Sequence, residues 1–113
     1  MGLVAHRLAR NGLVVIVAAM SPFKAVRDEI RRNHKEEAHF IEVFVDCPVS
    51  ELRIRDTKGL YSQPRLAELS GISTPYEPPV CPEVYVNTHL ADVDSCVDHI
   101  VGVLKRRHLL AIA

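Results

Sequence analysis

Leu13-Val14-Val15-Ile16-Val17-Ala18-Ala19 is apolar at every position. A short run of this kind, rich in β-branched residues, predicts a strand buried on both faces of a parallel sheet. Ser21-Pro22 ends it. On its amino-terminal side, Leu3, Val4 and Leu8 recur at helical spacing with Arg7 and Arg10 opposite, so residues 3–11 read as the end of an amphipathic helix. Gly12 suits the left-handed turn that closes such a helix.

On the other side lies a charged segment, residues 23–38. Val26 and Ile30 stand four apart among Lys24, Arg27, Asp28, Glu29, Arg31 and Arg32. This predicts a solvent-facing helix covering the sheet. Phe40-Ile41-Glu42-Val43-Phe44-Val45-Asp46 is a second strand, and Pro48 opens a short helix over 49–56. The third strand is Glu83-Val84-Tyr85-Val86-Asn87. Residues 92–107 form a closing helix with Val93, Val97, Ile100, Val101 and Leu104 on one face. Between them, residues 57–82 hold two glycines and five prolines with little periodicity. Irregular segments of about 25 residues in a compact domain are commonly lids or binding loops. The fold class is therefore α/β, a partial parallel sheet with strands near 13–19, 40–46 and 83–87, flanking helices and an irregular lid.

The composition agrees with one globular domain. The chain has 113 residues, 48% hydrophobic and 25% charged, with 14 Lys plus Arg against 14 Asp plus Glu. Zero net charge argues against a dedicated binder of nucleic acid or of a membrane surface. No apolar run approaches the roughly 20 residues of a membrane span. The opening residues lack the charged leader and apolar stretch of a secretory signal. Cys47, Cys81 and Cys96 form no CxxC pair or zinc pattern, which suits reduced thiols in a cytoplasmic protein, with Cys81 and Cys96 buried or half-buried.

Ligands of an open α/β sheet bind beyond the carboxyl ends of its strands. Three loops occupy that position: Met20-Ser21-Pro22-Phe23, Asp46-Cys47-Pro48 and Thr88-His89-Leu90-Ala91. A hydroxyl at Ser21 could meet a phosphate there, or could simply cap the next helix. Arg55-Asp56-Thr57-Lys58-Gly59-Leu60-Tyr61 places cations at the entrance to the lid, with Arg65 further along. Such cations suit phosphate or sulfate, and equally a solvated charged loop. His34 and His39 are five apart and lack a third ligand, so they do not read as a metal site. Lys105, Arg106 and Arg107 complement the carboxyl end of the last helix. No G-x-x-x-x-G-K-[ST] occurs anywhere in the 113 residues.

These blocks resemble the adenylyl-sulfate kinase family. Asn11-Gly12-Leu13-Val14-Val15, Ala19-Met20-Ser21-Pro22-Phe23, Arg27-Asp28 and residues 40–48 carry the resemblance. Its most specific parts are residues 55–61, Tyr76-Glu77-Pro78-Pro79 and Pro82-Glu83, and it runs from about residue 2 to residue 105. The resemblance implies a P-loop kinase fold and transfer of the γ-phosphoryl group of ATP, with Mg2+, to the ribose 3′-hydroxyl of adenylyl sulfate in sulfate assimilation. By position, Ser21 matches the family's phosphoserine, with the alternative that it only holds substrate. Met20, Ser21, Lys58 and Arg65 match contacts to adenylyl sulfate, and Arg55 and Ala91 match contacts to the nucleotide.

The resemblance also implies two departures. The family's opening third, with its P-loop and Walker lysine, has no counterpart here, so residues 1–113 correspond to the carboxyl-terminal two-thirds of one domain. The lid, residues 57–82, is shortened by about three residues, and the aromatic that stacks on substrate adenine is absent. In the family's strand order 2-3-1-4-5 this chain supplies strands 3, 4 and 5, so a gap is expected between residues 13–19 and 40–46. Unpaired buried backbone groups there would cost about 1–3 kcal/mol each. The expected ligands are adenylyl sulfate and ATP. The expected protein partners are a second copy of the chain or a complementing chain that carries the P-loop. A non-catalytic remnant, a dimerising module and one half of a split kinase stand as alternatives to an enzyme.

Overall fold

The computed structural model describes residues 2–34, 39–59, 61 and 75–110. Six elements follow in order: α1 (Gly2–Ala9), α2 (Lys24–His34), β1 (Val43–Asp46), α3 (Val49–Ile54), β2 (Val84–Asn87) and α4 (Val93–Arg106). The strands β1 and β2 pair in parallel, with Val43 opposite Val84 and Asp46 opposite Asn87. Both carboxyl ends therefore face the same way, toward the loops that follow Asp46 and Asn87.

The core is small and lies between the sheet and α4. Val84, Val86, Cys96 and Val103 are buried, and Ile41, Val43 and Ile100 pack against them. Alternation along β2 explains this: Val84 and Val86 point inward, while Tyr85 between them is exposed. Asp92 caps α4 by accepting a hydrogen bond from the Ser95 amide at 2.7 Å, which holds its carboxyl below the usual range. Gly12 adopts φ +81°, the left-handed turn expected after α1.

Three expectations from the sequence are corrected. Residues 13–19 form no strand. They lie open to solvent, with Ile16 90% and Val14 67% exposed. The β-branched pattern specifies a strand only when neighbours supply hydrogen bonds on its edges and cover on its faces. Among the described residues β1 pairs with β2 and leaves this segment no ladder partner. Direct pairing of 13–19 with β1, the other way of closing the gap, does not occur.

The second correction concerns α2. Its inward residues are Arg27 and His34, whereas Val26 is exposed. His34 is a packing residue: its Nδ1 lies 2.7 Å from the Ile30 carbonyl oxygen, and its ring meets that of His6 edge-on at 4.6 Å. Cys81 is exposed, not half-buried, while Cys96 joins the core. Among the described residues no helix is long and apolar enough to cross a membrane.

Candidate functional site

The carboxyl ends of β1 and β2 support a loop built on Asn87. Its side-chain Oδ1 accepts from the His89 and Leu90 amides at 3.0 and 3.2 Å, and its carbonyl accepts from the Ala91 amide at 3.1 Å. The loop is tied to β1 by the Thr88 amide, which donates to the Asp46 carbonyl at 3.0 Å. Arg55, at the end of α3, reaches across to it. Its Nη2 donates to the Thr88 carbonyl and its Nε to Glu51 Oε1, both at 2.9 Å. The other oxygen of Glu51 lies 3.5 Å from His89 Nδ1.

Arg55, His89, Ala91, Val86 and Val97 thus line one cavity of about 550 Å3. A planar cation at the rim of a largely apolar hollow suits a flat aromatic ring, which it can cover face-on. Two of the residues singled out in the sequence, Arg55 and Ala91, come together here.

Met20 and Ser21 belong to a different network. Met20 is exposed. Ser21 adopts φ 39°, a left-handed conformation that costs a non-glycine residue on the order of 1–3 kcal/mol. That conformation is held from α2. Arg27 Nη1 donates to the Ser21 carbonyl at 2.7 Å, Nη2 to the Glu77 carbonyl at 2.5 Å, and Nε to Glu42 Oε1 at 2.8 Å. Glu77 closes the loop from the far side. Its amide donates to the Pro22 carbonyl at 2.9 Å, and its Oε2 accepts from the Lys24 amide at 2.6 Å.

Arg31, one turn after Arg27, extends the cluster. It pairs with both Glu83 oxygens and with Glu42 Oε2, the last at 2.9 Å. The guanidinium also lies over the Phe40 ring, 4.9 Å from its centroid. Two cations and two anions balance in a place where an unpaired charge would be costly. Its hydrogen bonds to Glu83 and then Glu42 raise the Arg31 pKa, against the opposing effect of burial. Burial works to raise the Glu83 carboxyl, yet Arg31 and the amides of Glu42 and Glu83 together hold it below its usual range.

Lys58 stands exposed in the turn before Gly59, which has φ +65°. Arg65 lies outside the described residues. Arg27, Arg31, Glu42 and Glu83 were not singled out from the sequence as a site, although a signal existed. Glu42 interrupts an otherwise apolar strand run, and Arg27 and Arg31 are four apart on one helix face.

Comparison with known proteins agrees with this architecture. The family model for adenylylsulphate kinase matches residues 1–87. The adenylyl-sulfate kinase of Synechococcus sp. (strain JA-2-3B'a(2-13)) is 43% identical over 109 residues, covering 94% of this chain and 61% of that protein. The adenylyl-sulfate kinase of Chloroflexus aurantiacus is 40% identical over 108 residues, covering 93% of this chain and 56% of that protein. The structure of the Mycobacterium tuberculosis APS kinase in complex with AMPPNP and APS superposes with a TM-score of 0.81 at 32% identity. That match covers 92% of this chain and 62% of the other.

With a parallel strand pair, the α3 crossover and the structural match above, the fold is that of a P-loop kinase. More narrowly, the chain belongs to the adenylylsulphate kinase family. It spans about three-fifths of the length of the curated relatives it matches.

Proposed function

We propose that these residues supply the substrate loop and the adenine wall of an adenylyl-sulfate kinase, which transfers the γ-phosphoryl group of ATP to the 3′-hydroxyl of adenylyl sulfate. One observation carries the reading most directly. Arg55 is held by Glu51 and the Thr88 carbonyl against the loop containing Ala91, so both residues matched to nucleotide contacts line one cavity.

The residues present fit the base of ATP: Arg55 would cover the adenine face while Val86 and Val97 supply an apolar wall. They do not fit the triphosphate, because the sequence contains no phosphate-cradling G-x-x-x-x-G-K-[ST]. Nor does any group of three His, Cys, Asp or Glu among the described residues stand ready to hold a metal ion. On the acceptor side, Met20 and Ser21 hold adenylyl sulfate, and Lys58 and Arg65 neutralise its anionic groups. Ser21 acts by position, since phosphoryl transfer needs alignment and charge neutralisation more than a covalent intermediate.

The 113 residues alone are therefore binding-competent and catalytically insufficient. The exposed apolar segment 13–19 favours a second reading within the same family, in which a separate chain bearing the P-loop completes the sheet. Titration of the chain with AMPPNP, followed by amide chemical shifts, tests the first claim. Shifts at Arg55 and Ala91 are expected, and their absence at millimolar nucleotide would refute the adenine wall.

A further inference from the structure

Arg27 is buried, yet every polar group of its guanidinium is committed to a different segment: Ser21, Glu42 and Glu77. The ring of Tyr76 lies beneath it, 5.6 Å from the guanidinium carbon, and stacks in turn on Phe44 at 5.9 Å. Through the Ser21 and Glu77 carbonyls, Arg27 joins the loop bearing Met20 and Ser21 to the segment that ends the irregular region. The planar fork suits this: two of its arms take backbone carbonyls and the third takes a carboxylate, which a lysine ammonium cannot imitate in fixed geometry.

We infer that Arg27 is a positioning residue: it fastens the Ser21 loop to Tyr76–Glu77 and to Glu42, and so fixes the left-handed Ser21 conformation offered to the acceptor substrate. The geometric part stands on the contacts alone. The substrate part rests on the reading of adenylyl sulfate as the ligand of Met20 and Ser21.

The tie is visible in two amides, those of Glu77, which donates to Pro22, and of Lys24 at the start of α2, which donates to the Glu77 carboxylate. Neither touches Arg27 directly, so both report the loop and not the substitution itself. The Thr88 amide, bonded to Asp46, reports the sheet.

The experiment is native-state amide exchange on the full 113-residue chain and its Arg27→Gln and Arg27→Lys variants. In Arg27→Gln the Glu77 and Lys24 amides should exchange about tenfold faster together, while Thr88 stays within about twofold. Arg27→Lys, which keeps the charge and one or two of the bonds, should recover part of the protection. Equal acceleration at all three amides, including outright unfolding of Arg27→Gln, would make Arg27 a general structural residue and overturn the proposal. So would unchanged protection at Glu77 and Lys24.

A second arm titrates adenylyl sulfate while following Ser21. Wild type should respond, and Arg27→Gln should bind about tenfold more weakly, with AMPPNP shifts at Ala91 unchanged. An unchanged affinity despite lost amide protection would overturn the positioning role. Absence of any Ser21 response in wild type would instead defeat the assignment of substrate, leaving the exchange result to decide the tie itself.

Discussion

Arg55 Nη2 donates to the Thr88 carbonyl at 2.9 Å across 33 positions of sequence, joining the end of α3 to the loop after β2. The bond aims a planar cation along the mouth of the cavity instead of into bulk water. Because Arg55 is exposed, the tie contributes little to folding; exposed pairs are worth about 0–1 kcal/mol. Under the proposed function, its effect belongs to binding.

Replacement of Arg55 by Ala should accordingly leave the unfolding midpoint almost unchanged while weakening AMPPNP on the order of tenfold, the scale of a partly desolvated cation–π contact. Arg55→Lys should recover only part of this, since the ammonium lacks the fork and the flat face. Calorimetric titration beside a urea melt separates the two effects.

The Glu83 carboxyl should set a limb of acid unfolding. Its folded pKa is depressed, so the stability it contributes is fully present above the ordinary glutamate value of about 4.3 and is lost as pH falls through the lower folded value. Glu83→Gln should be less stable at neutral pH, and its urea midpoint should fall less steeply between neutrality and strong acid. Identical pH profiles for the two proteins would show that the Arg31 pair carries no proton linkage.

Val84 and Ile16 should respond oppositely. Val84 is 1% exposed, and Val84→Ala should cost about 2–3 kcal/mol through lost burial and a residual cavity. Ile16 is 90% exposed, and Ile16→Lys should alter stability by less than about 0.5 kcal/mol. The same change should reduce self-association measured by sedimentation, because it breaks a contiguous apolar surface. A large loss of stability at Ile16 would mean that the segment is covered in solution.

The elements with strong local periodicity were legible from the residues alone. α4 and the strands β1 and β2 fall within their expected ranges, and α1 overlaps residues 3–11, because helical and alternating patterns answer to solvent on one side and core on the other. Residues 13–19 failed for the same physical reason. An all-apolar run states what surroundings it requires, and the ladder that would make it a strand must come from residues distant in sequence. The Arg27–Glu42–Arg31–Glu83 cluster was hidden because charge on a helix normally signals solvent. Only the isolated carboxylate of Glu42 inside an apolar strand demanded a buried partner. Arg55 and Ala91 were reached through family likeness, and their meeting in one cavity was visible only in three dimensions.

The central proposal is that these residues supply the substrate and adenine side of an adenylyl-sulfate kinase, with no phosphate-cradling G-x-x-x-x-G-K-[ST] among the 113. Transfer of γ-labelled phosphate from ATP to adenylyl sulfate tests it most directly, measured for the 113-residue chain and for the same chain fused behind the opening segment of the Synechococcus relative. The account predicts no transfer by the chain alone and clear transfer by the fusion, reduced by Arg55→Ala. Transfer by the chain alone, or a folded fusion that binds both ligands and transfers nothing, would contradict it.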